Sequence, residues 1–175
     1  VAQDMIAKNS NQYFYADQYS NDNNWLAHYN GTANEVWNQT RTKITHFVSG
    51  LGTTGTFTGT GTRLKELNED IQLVALQPET ALHGLEGWKH LETAKVPSIF
   101  AQNLPDEYRT VGTEGAYEVL KDAARYEGLL LSPSSAANLM GAIAVANELD
   151  EGVVVTVFPD DSAKYSDVLN QIYNN

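Results

Sequence analysis

The fold is decided by one stretch of sequence, which reads ITHFVSGLGTTGTFTGTGTRLKEL over residues 44–67. It opens with the apolar run Ile44–Val48, passes through a turn crowded with glycine and threonine, and closes on the helix-period residues Arg63–Leu67. A short apolar run bounded by glycines is typical of a buried strand, and apolar spacing of three to four residues is typical of a helix. The stretch therefore predicts a strand, a glycine-rich turn and a helix in succession.

The same change of period recurs along the chain. Further strand-like runs are Tyr13–Tyr15, Ile71–Leu76, Leu129–Leu131 and Val153–Phe158. Helical spacing follows Thr113, where Ala116, Val119, Leu120, Ala123 and Ala124 share one face, and returns over residues 135–149 and from about residue 163 to residue 172. Apolar strands separated by helices predict an α/β fold with a parallel sheet flanked by helices.

The composition fits a single domain over residues 1–175, with 42% hydrophobic and 19% charged residues. Lysine and arginine number 11 against 22 acidic residues, and the net charge of −11 disfavours nucleic acid or an anionic membrane as a partner. The sequence has no cysteine, which excludes a disulfide scaffold and a catalytic thiol on this chain. It shows neither a bilayer-spanning apolar run nor a secretory signal, so we expect a cytoplasmic protein.

The opening residues, Val1–Lys8, lack an initiator methionine and already show a helical pattern. We therefore expect the sequence to start part-way through a longer protein.

The turn after Ile44–Val48 predicts a phosphate site, because a glycine-rich strand-to-helix turn exposes backbone N–H groups at the positive end of a helix dipole. Gly50-x-Gly52-x-x-Gly55 also matches the dinucleotide fingerprint, with Glu69 or Asp70 as the acid that would bind the ribose. The threonine hydroxyls favour a terminal phosphate monoester instead. A turn whose glycines only relieve steric crowding is the third possibility.

A second strand-to-helix junction reads LLLSPSSAAN over residues 129–138. One of its serines can cap the following helix, which is the simpler interpretation on spacing alone. Capping needs one hydroxyl and three are present, so a ligand site at the carboxyl end of a parallel strand is the alternative.

Together these stretches resemble the cysteine synthase (O-acetylserine sulfhydrylase) and cystathionine β-synthase family of pyridoxal-phosphate enzymes. The resemblance runs along nearly the whole chain and rests on Asp17–Asn21, Ala27–Tyr29, Glu35–Thr40, Gly52–Thr56, His83–Gly87, Glu127–Ser135 and Phe158–Tyr165. It implies the larger domain of a fold type II pyridoxal-phosphate enzyme, with this chain as the C-terminal, cofactor-binding part. The irregular segment 77–106 would then border the mouth of the active site.

The resemblance also implies roles for individual residues. Gly52, Thr53, Thr54, Gly55 and Thr56 would hold the cofactor phosphate. Ser134 would hydrogen-bond the pyridine nitrogen, Gln18 would bind the substrate carboxylate, and Gly87 would line the mouth. The implied reaction is β-replacement, in which an activated serine such as O-acetylserine reacts with sulfide to give cysteine, in a homodimer.

The chain departs from the family pattern at the catalytic lysine. None of its seven lysines lies in the context of the Schiff-base lysine, and the family's loop for the substrate carboxylate is also missing. We therefore predict no catalytic residue on this chain. Activity is expected to need an N-terminal lysine-bearing part, either lost by truncation or supplied as a separate chain. The alternative is a non-catalytic remnant that binds a phosphate ligand or a partner protein.

The four histidines, His28, His46, His83 and His90, share no spacing typical of metal ligands, so we predict packing or surface roles and no metal site.

Overall fold

The structure is a computed structural model that describes residues 1–174. Within that range the α-helices are α1 (Ala2–Lys8), α2 (Asn23–Asn30), α3 (Thr32–Gln39), α4 (Gly55–Leu67), α5 (Thr113–Asp122), α6 (Pro133–Ala146) and α7 (Ser166–Asn174). The strands are β1 (His46–Gly50), β2 (Gln72–Pro78), β3 (Glu107–Val111) and β4 (Val154–Thr156). A π-helical turn, Ala123–Glu127, follows α5, and a 3₁₀ turn, Ser162–Lys164, precedes α7.

The four strands form one parallel sheet in the order β3-β2-β1-β4. His46 at the start of β1 is level with Gln72 on one side and Val154 on the other. The predicted parallel sheet is therefore confirmed, and β1, which lies inside the stretch of residues 44–67, is an interior strand.

Helices cover both faces of this sheet. Successive side chains of a strand point to opposite faces, so neighbouring residues of β1 pack against different helices. Phe47 packs in a cluster with Phe57 and Leu64 of α4. Its neighbour Val48 packs in a second cluster, with Ala116 of α5 and residues of α6. Burial on both faces explains why β1 has no polar alternation in its sequence.

The chain changes direction within the sheet, and this change creates a crevice. From β1 it moves through β2 to β3, and it then returns to the other side of β1 to add β4. Parallel sheets bind ligands at such a switch point, outside the carboxyl ends of the strands. Here the switch point lies between β1 and β4, where α4 and α6 both begin.

Two strand predictions were wrong. Residues 13–15 form no strand, and Phe14 is 88% exposed, so its apolar character does not reflect burial in the sheet. Leu131 makes only an isolated antiparallel bridge with Asp161, and Leu130 is exposed. The missed strand is β3, whose sequence Glu-Tyr-Arg-Thr-Val is mostly exposed at the edge of the sheet and lacks an apolar run.

The helix predictions were better than the strand predictions. The helix predicted for residues 135–149 is α6, which begins two residues earlier at Pro133, and the last helix is divided into the 3₁₀ turn and α7. Between β2 and β3, residues 79–106 form neither a helix nor a strand. Within residues 1–174, no helix combines the length and apolar character needed to cross a membrane.

Candidate active site

A cavity of about 230 Å³ opens at the switch point between β1 and β4. Six of the eight predicted site residues line it: Gly52, Thr53, Thr54, Thr56, Gly87 and Ser134. They come from the turn before α4, the irregular segment after β2 and the first turn of α6. The structure thus brings together residues that lie up to 82 positions apart in the sequence.

Thr54 has the least usual backbone in this cavity. It is the N-cap of α4 and lies in the left-handed region, with φ 72° and ψ −4°. A β-branched residue is a true outlier there, and such strain costs about 1–3 kcal/mol. Its Oγ1 is buried, yet it has no hydrogen-bond partner among the described residues. A buried hydroxyl without a partner, on a strained backbone beside a cavity, is suited to bind a polar ligand.

Two glycines allow the turn to approach its neighbours closely. A Cβ at Gly52 would overlap the backbone carbonyl oxygen of Gly87, and a Cβ at Gly55 would overlap the side-chain amide of Asn24. Gly52 is thus needed where the turn meets the segment that carries Gly87. Gly55, the first residue of α4, packs against α2 and does not itself line the cavity.

The amino ends of two long helices meet at the cavity. α4 begins at Gly55 and α6 begins at Pro133, directly beside the lining residues Thr54 and Ser134. The first N–H groups of a helix have no partner within the helix, and the helix dipole adds partial positive charge there. The cavity is therefore favourable for an anion even though its charged lining residues are the acids Glu86 and Asp160.

The three serines before α6 have separate roles. Ser132 caps the helix, since its Oγ accepts a hydrogen bond from the backbone N–H of Ser135 at 3.2 Å. Ser135 Oγ donates to the backbone carbonyl of Asp160 at 2.8 Å. Ser134 is 4% exposed and lines the cavity, where its Oγ lies 3.3 Å from Ser132 Oγ. The capping interpretation is confirmed for Ser132, and it leaves Ser134 available to a ligand.

Asn138 is a lining residue that the sequence analysis missed. Its Oδ1 accepts a hydrogen bond from the N–H of Gly50 at 2.7 Å, and its Nδ2 donates to the carbonyl of Val157 at 2.8 Å. It thereby joins the carboxyl ends of β1 and β4 to α6. Asn138 follows Ser134 by four residues and so lies on the same helix face, which is the signal that could have found it.

Asp160 and Tyr165 form a second missed pair in the cavity lining. The Tyr165 hydroxyl donates to Asp160 Oδ2 at 2.7 Å. Burial raises the pKa of Tyr165 to about 12, and the hydrogen bond to the Asp160 carboxylate adds to the effect. Trp88 also lines the cavity, where a Cβ on Gly50 would overlap its indole ring.

Gln18 is a predicted site residue that the structure does not place in the cavity lining. It is exposed and is not among the residues that line the cavity. Its backbone carbonyl accepts a hydrogen bond from Asn24 Nδ2 at 2.6 Å, and Asn24 packs against Gly55. Its role toward a substrate carboxylate therefore stays a prediction.

The dinucleotide interpretation does not fit the geometry. Glu69 and Asp70 precede β2 and so lie at the amino edge of the parallel sheet, whereas the glycine-rich turn follows the carboxyl end of β1. A ribose-binding acid must lie on the same side of the sheet as the turn. No group of three or more histidine, aspartate or glutamate side chains within residues 1–174 is placed to hold a metal ion.

Comparison with known proteins shows the family to which the chain belongs. The sequence profile of the family described as "Pyridoxal-phosphate dependent enzyme" matches residues 1–160. The chain belongs to this pyridoxal-phosphate-dependent family. The predicted cofactor, pyridoxal phosphate, is thereby confirmed.

Similar curated proteins of this family are cysteine synthases. The chain is 44% identical to the cysteine synthase of Aquifex aeolicus over 166 residues, which cover 93% of this chain and 51% of that protein. It is 36% identical to cysteine synthase B of Escherichia coli over 151 residues, 85% of this chain and 49% of that protein. The chain thus spans about half the length of these relatives.

A solved structure of the family has the same fold. O-acetyl serine sulfhydrylase isoform 3 from Entamoeba histolytica superposes with a TM-score of 0.89 at 28% identity, over 99% of this chain and 53% of that one. The predicted fold class is therefore confirmed. The cavity also fits the family's cofactor, because the unpartnered Thr54 hydroxyl and two helix amino ends suit a phosphate.

Proposed function

We propose that this chain is the cofactor-binding part of an enzyme that replaces the β-substituent of an activated serine, such as O-acetylserine, with sulfide to form cysteine. The observation that carries the proposal is that the turn at Thr54 and the hydroxyl of Ser134 line one cavity. Relatives named cysteine synthase, at 44% and 36% identity, support the choice of reaction.

In this proposal the turn Gly52–Thr56 holds the cofactor phosphate. The N–H groups at the start of α4 and the hydroxyls of Thr53, Thr54 and Thr56 donate to the phosphate oxygens. Hydrogen bonds to a charged acceptor are stronger than neutral ones, so the unpartnered Thr54 hydroxyl gains most when the phosphate binds. The strained backbone of Thr54 is then part of a preformed site.

Ser134 faces the pyridine nitrogen in the same proposal. A neutral hydroxyl at that position leaves the ring nitrogen less protonated than a carboxylate would. Bound pyridoxal phosphate supplies an electron sink to the amino-acid substrate, and Ser134 makes that sink weaker. A weaker sink suits β-elimination and replacement better than transamination.

Gly87 and Gln18 complete the proposal on the substrate side. Gly87 lines the cavity beside Gly52, and we assign it to the mouth through which the amino acid and sulfide enter. Gln18 is assigned to the substrate carboxylate, and its link to the phosphate turn through Asn24 supports that role. By the family resemblance we expect the whole protein to act as a homodimer in the cytoplasm.

The Schiff-base lysine is assigned to a segment outside this sequence. No lysine is among the described residues that line the cavity. Lys164 lies 3.7 Å from Asp160, but its side chain is 71% exposed. This observation also supports the second candidate function, a non-catalytic remnant that binds a phosphate ligand without turnover.

Complementation tests the proposal. The chain is mixed with the half of the Aquifex aeolicus cysteine synthase that it does not match, together with pyridoxal phosphate, O-acetylserine and sulfide, and cysteine is measured. We expect cysteine only when both halves are present. We also expect the chain alone to bind pyridoxine 5′-phosphate, which has no aldehyde and cannot react with surface lysines.

Matched variants give the control. Thr54→Val removes a hydroxyl in the cavity. Thr58→Val removes a buried hydroxyl of α4 that is not in the cavity lining and has no hydrogen-bond partner among residues 1–174. Only Thr54→Val should lower cysteine formation. Binding of pyridoxine 5′-phosphate without cysteine formation would favour the remnant, and absence of binding would reject both functions.

A further inference from the structure

His28 on α2 contacts the proposed phosphate turn. Its Nε2 lies 3.2 Å from Thr56 Oγ1, and its Nδ1 lies 3.0 Å from Thr32 Oγ1 at the start of α3. The imidazole therefore joins α3 to the second residue of α4, and Thr56 lines the cavity. The phosphate proposal alone does not explain why a histidine lies in this position.

The helix packing holds His28 in this place. A Cβ at Gly59 of α4 would lie 2.9 Å from the Cβ of His28 and would also overlap the carbonyl of Trp25. The backbones of α2 and α4 therefore approach as closely as glycine allows. Burial lowers the pKa of His28, which favours the neutral ring. A neutral imidazole has one nitrogen that donates and one that accepts.

Only one of the two neutral forms leaves Thr56 able to donate to a phosphate. If the proton is on Nδ1, Nε2 accepts the hydrogen of the Thr56 hydroxyl, which then presents only lone pairs to the cavity. If the proton is on Nε2, the ring donates to Thr56 Oγ1 and the Thr56 hydrogen is free. Nδ1 then accepts the hydroxyl hydrogen of Thr32, and the chain of hydrogen bonds strengthens each member.

We propose that His28 is a positioning residue that, as the Nε2–H tautomer, directs the Thr56 hydroxyl hydrogen toward the bound phosphate. This inference rests on the proposed phosphate site. It adds the residue that sets the direction in which the Thr56 hydroxyl donates its hydrogen bond. A phosphate dianion offers only acceptor oxygens, so it selects the tautomer in which Thr56 donates.

Nitrogen NMR of the labelled ring tests the inference on the unmodified protein, because protonated and unprotonated ring nitrogens have different shifts. With saturating pyridoxine 5′-phosphate at neutral pH, we expect the proton of His28 on Nε2 and none on Nδ1. His46 is a reference histidine outside the cavity. Its Nδ1 also lies near a threonine hydroxyl, 2.9 Å from Thr45 Oγ1, but at the amino end of β1, opposite the glycine–threonine turn. A bound state with the proton of His28 on Nδ1 would overturn the inference but leave the phosphate site intact.

A variant adds an affinity readout. His28→Leu should weaken pyridoxine 5′-phosphate about fivefold, the effect of one ordinary hydrogen bond, and leave the weaker affinity for phosphate-free pyridoxine unchanged. Equal affinity of the variant and the unmodified protein for the phosphate would contradict the inference. If the variant does not fold, the ring-nitrogen spectrum of the unmodified protein decides. Failure of the unmodified protein to bind pyridoxine 5′-phosphate would reject the proposed function and this inference with it.

Discussion

Two turns end at the same cavity, and they differ in how their hydroxyls are used. In the serine turn before α6, Ser132 caps the helix and Ser135 donates to the carbonyl of Asp160. In the glycine–threonine turn before α4, Thr54 Oγ1 is buried without a partner among residues 1–174. Thr54 also has a left-handed backbone, whereas Ser132 is extended, with φ −77° and ψ 163°.

The comparison separates hydroxyls that are hydrogen-bonded within the protein from a hydroxyl that we propose is hydrogen-bonded by a ligand. A hydroxyl whose hydrogen bonds stay within the protein contributes to stability whether or not a ligand binds. A buried hydroxyl with no partner lowers stability until a ligand supplies one. We therefore assign the serine turn, apart from Ser134, to stability, and we propose that the threonine turn binds the ligand.

The largest expected effect on stability comes from removing the side chain of Asn138, which links the two turns. Asn138→Leu leaves the N–H of Gly50 and the carbonyl of Val157 without their partner. Two part-buried backbone groups that lose their partners cost about 2 kcal/mol of the free energy of unfolding. Urea unfolding measures the change. A loss below about 1 kcal/mol would mean that water replaces the amide and that Asn138 does not join the strands.

The next largest effect on stability is expected from adding a single methyl group to the glycine–threonine turn. Gly52→Ala places a Cβ against the backbone carbonyl of Gly87, which cannot move as freely as a side chain. We expect a loss of about 2 kcal/mol in stability and no detectable binding of pyridoxine 5′-phosphate by calorimetry. Normal binding by this variant would show that the contact between Gly52 and Gly87 does not shape the cavity.

A pair of variants tests the comparison itself. Thr54→Val should weaken pyridoxine 5′-phosphate about tenfold, as loss of a hydrogen bond to a charged group does, with no loss of stability. Ser132→Ala should lower stability by about 1 kcal/mol, as loss of a helix cap does, with unchanged affinity. Thermal unfolding and calorimetry on both variants measure the four values, and exchanged outcomes would reverse the assignment of the two turns.

The smallest effect concerns Tyr165 on the serine-turn side. Its pKa of about 12 in the folded protein exceeds that of an exposed tyrosine, about 10. The folded state thus holds this proton more tightly, and the stabilisation is present below about pH 10 and is lost as the pH rises toward 12. An ultraviolet titration should show a lower pKa for Tyr165 in Asp160→Asn than in the unmodified protein. An unchanged pKa would mean that the Asp160 carboxylate does not raise the pKa of Tyr165.

The sequence predicted those parts of the molecule in which a physical requirement restricts which residue types can occur. The strand within Ile44–Val48 was predicted because an interior strand must be apolar, and the tight turn after it was predicted because a close backbone approach needs glycine. β3 was missed because an edge strand faces water and can contain Glu107 and Arg109. Phe14 misled the strand prediction because its exposure is a tertiary property.

Within the candidate site, the sequence predicted the backbone-forming residues better than the side-chain network. The roles of Asn138 and of the Asp160–Tyr165 pair depend on which strand ends meet at the switch point. That meeting follows from the order β3-β2-β1-β4, which residue spacing does not encode. The contact of His28 with Thr56 likewise depends on how α2 packs against α4.

A crystal structure of the chain with pyridoxine 5′-phosphate is the most direct test of the central claim. We predict that the phosphate lies at the amino end of α4, within hydrogen-bond distance of Thr54 Oγ1, with the pyridine nitrogen facing Ser134. A phosphate bound elsewhere, or a Thr54 hydroxyl still without a partner in the complex, would contradict the account.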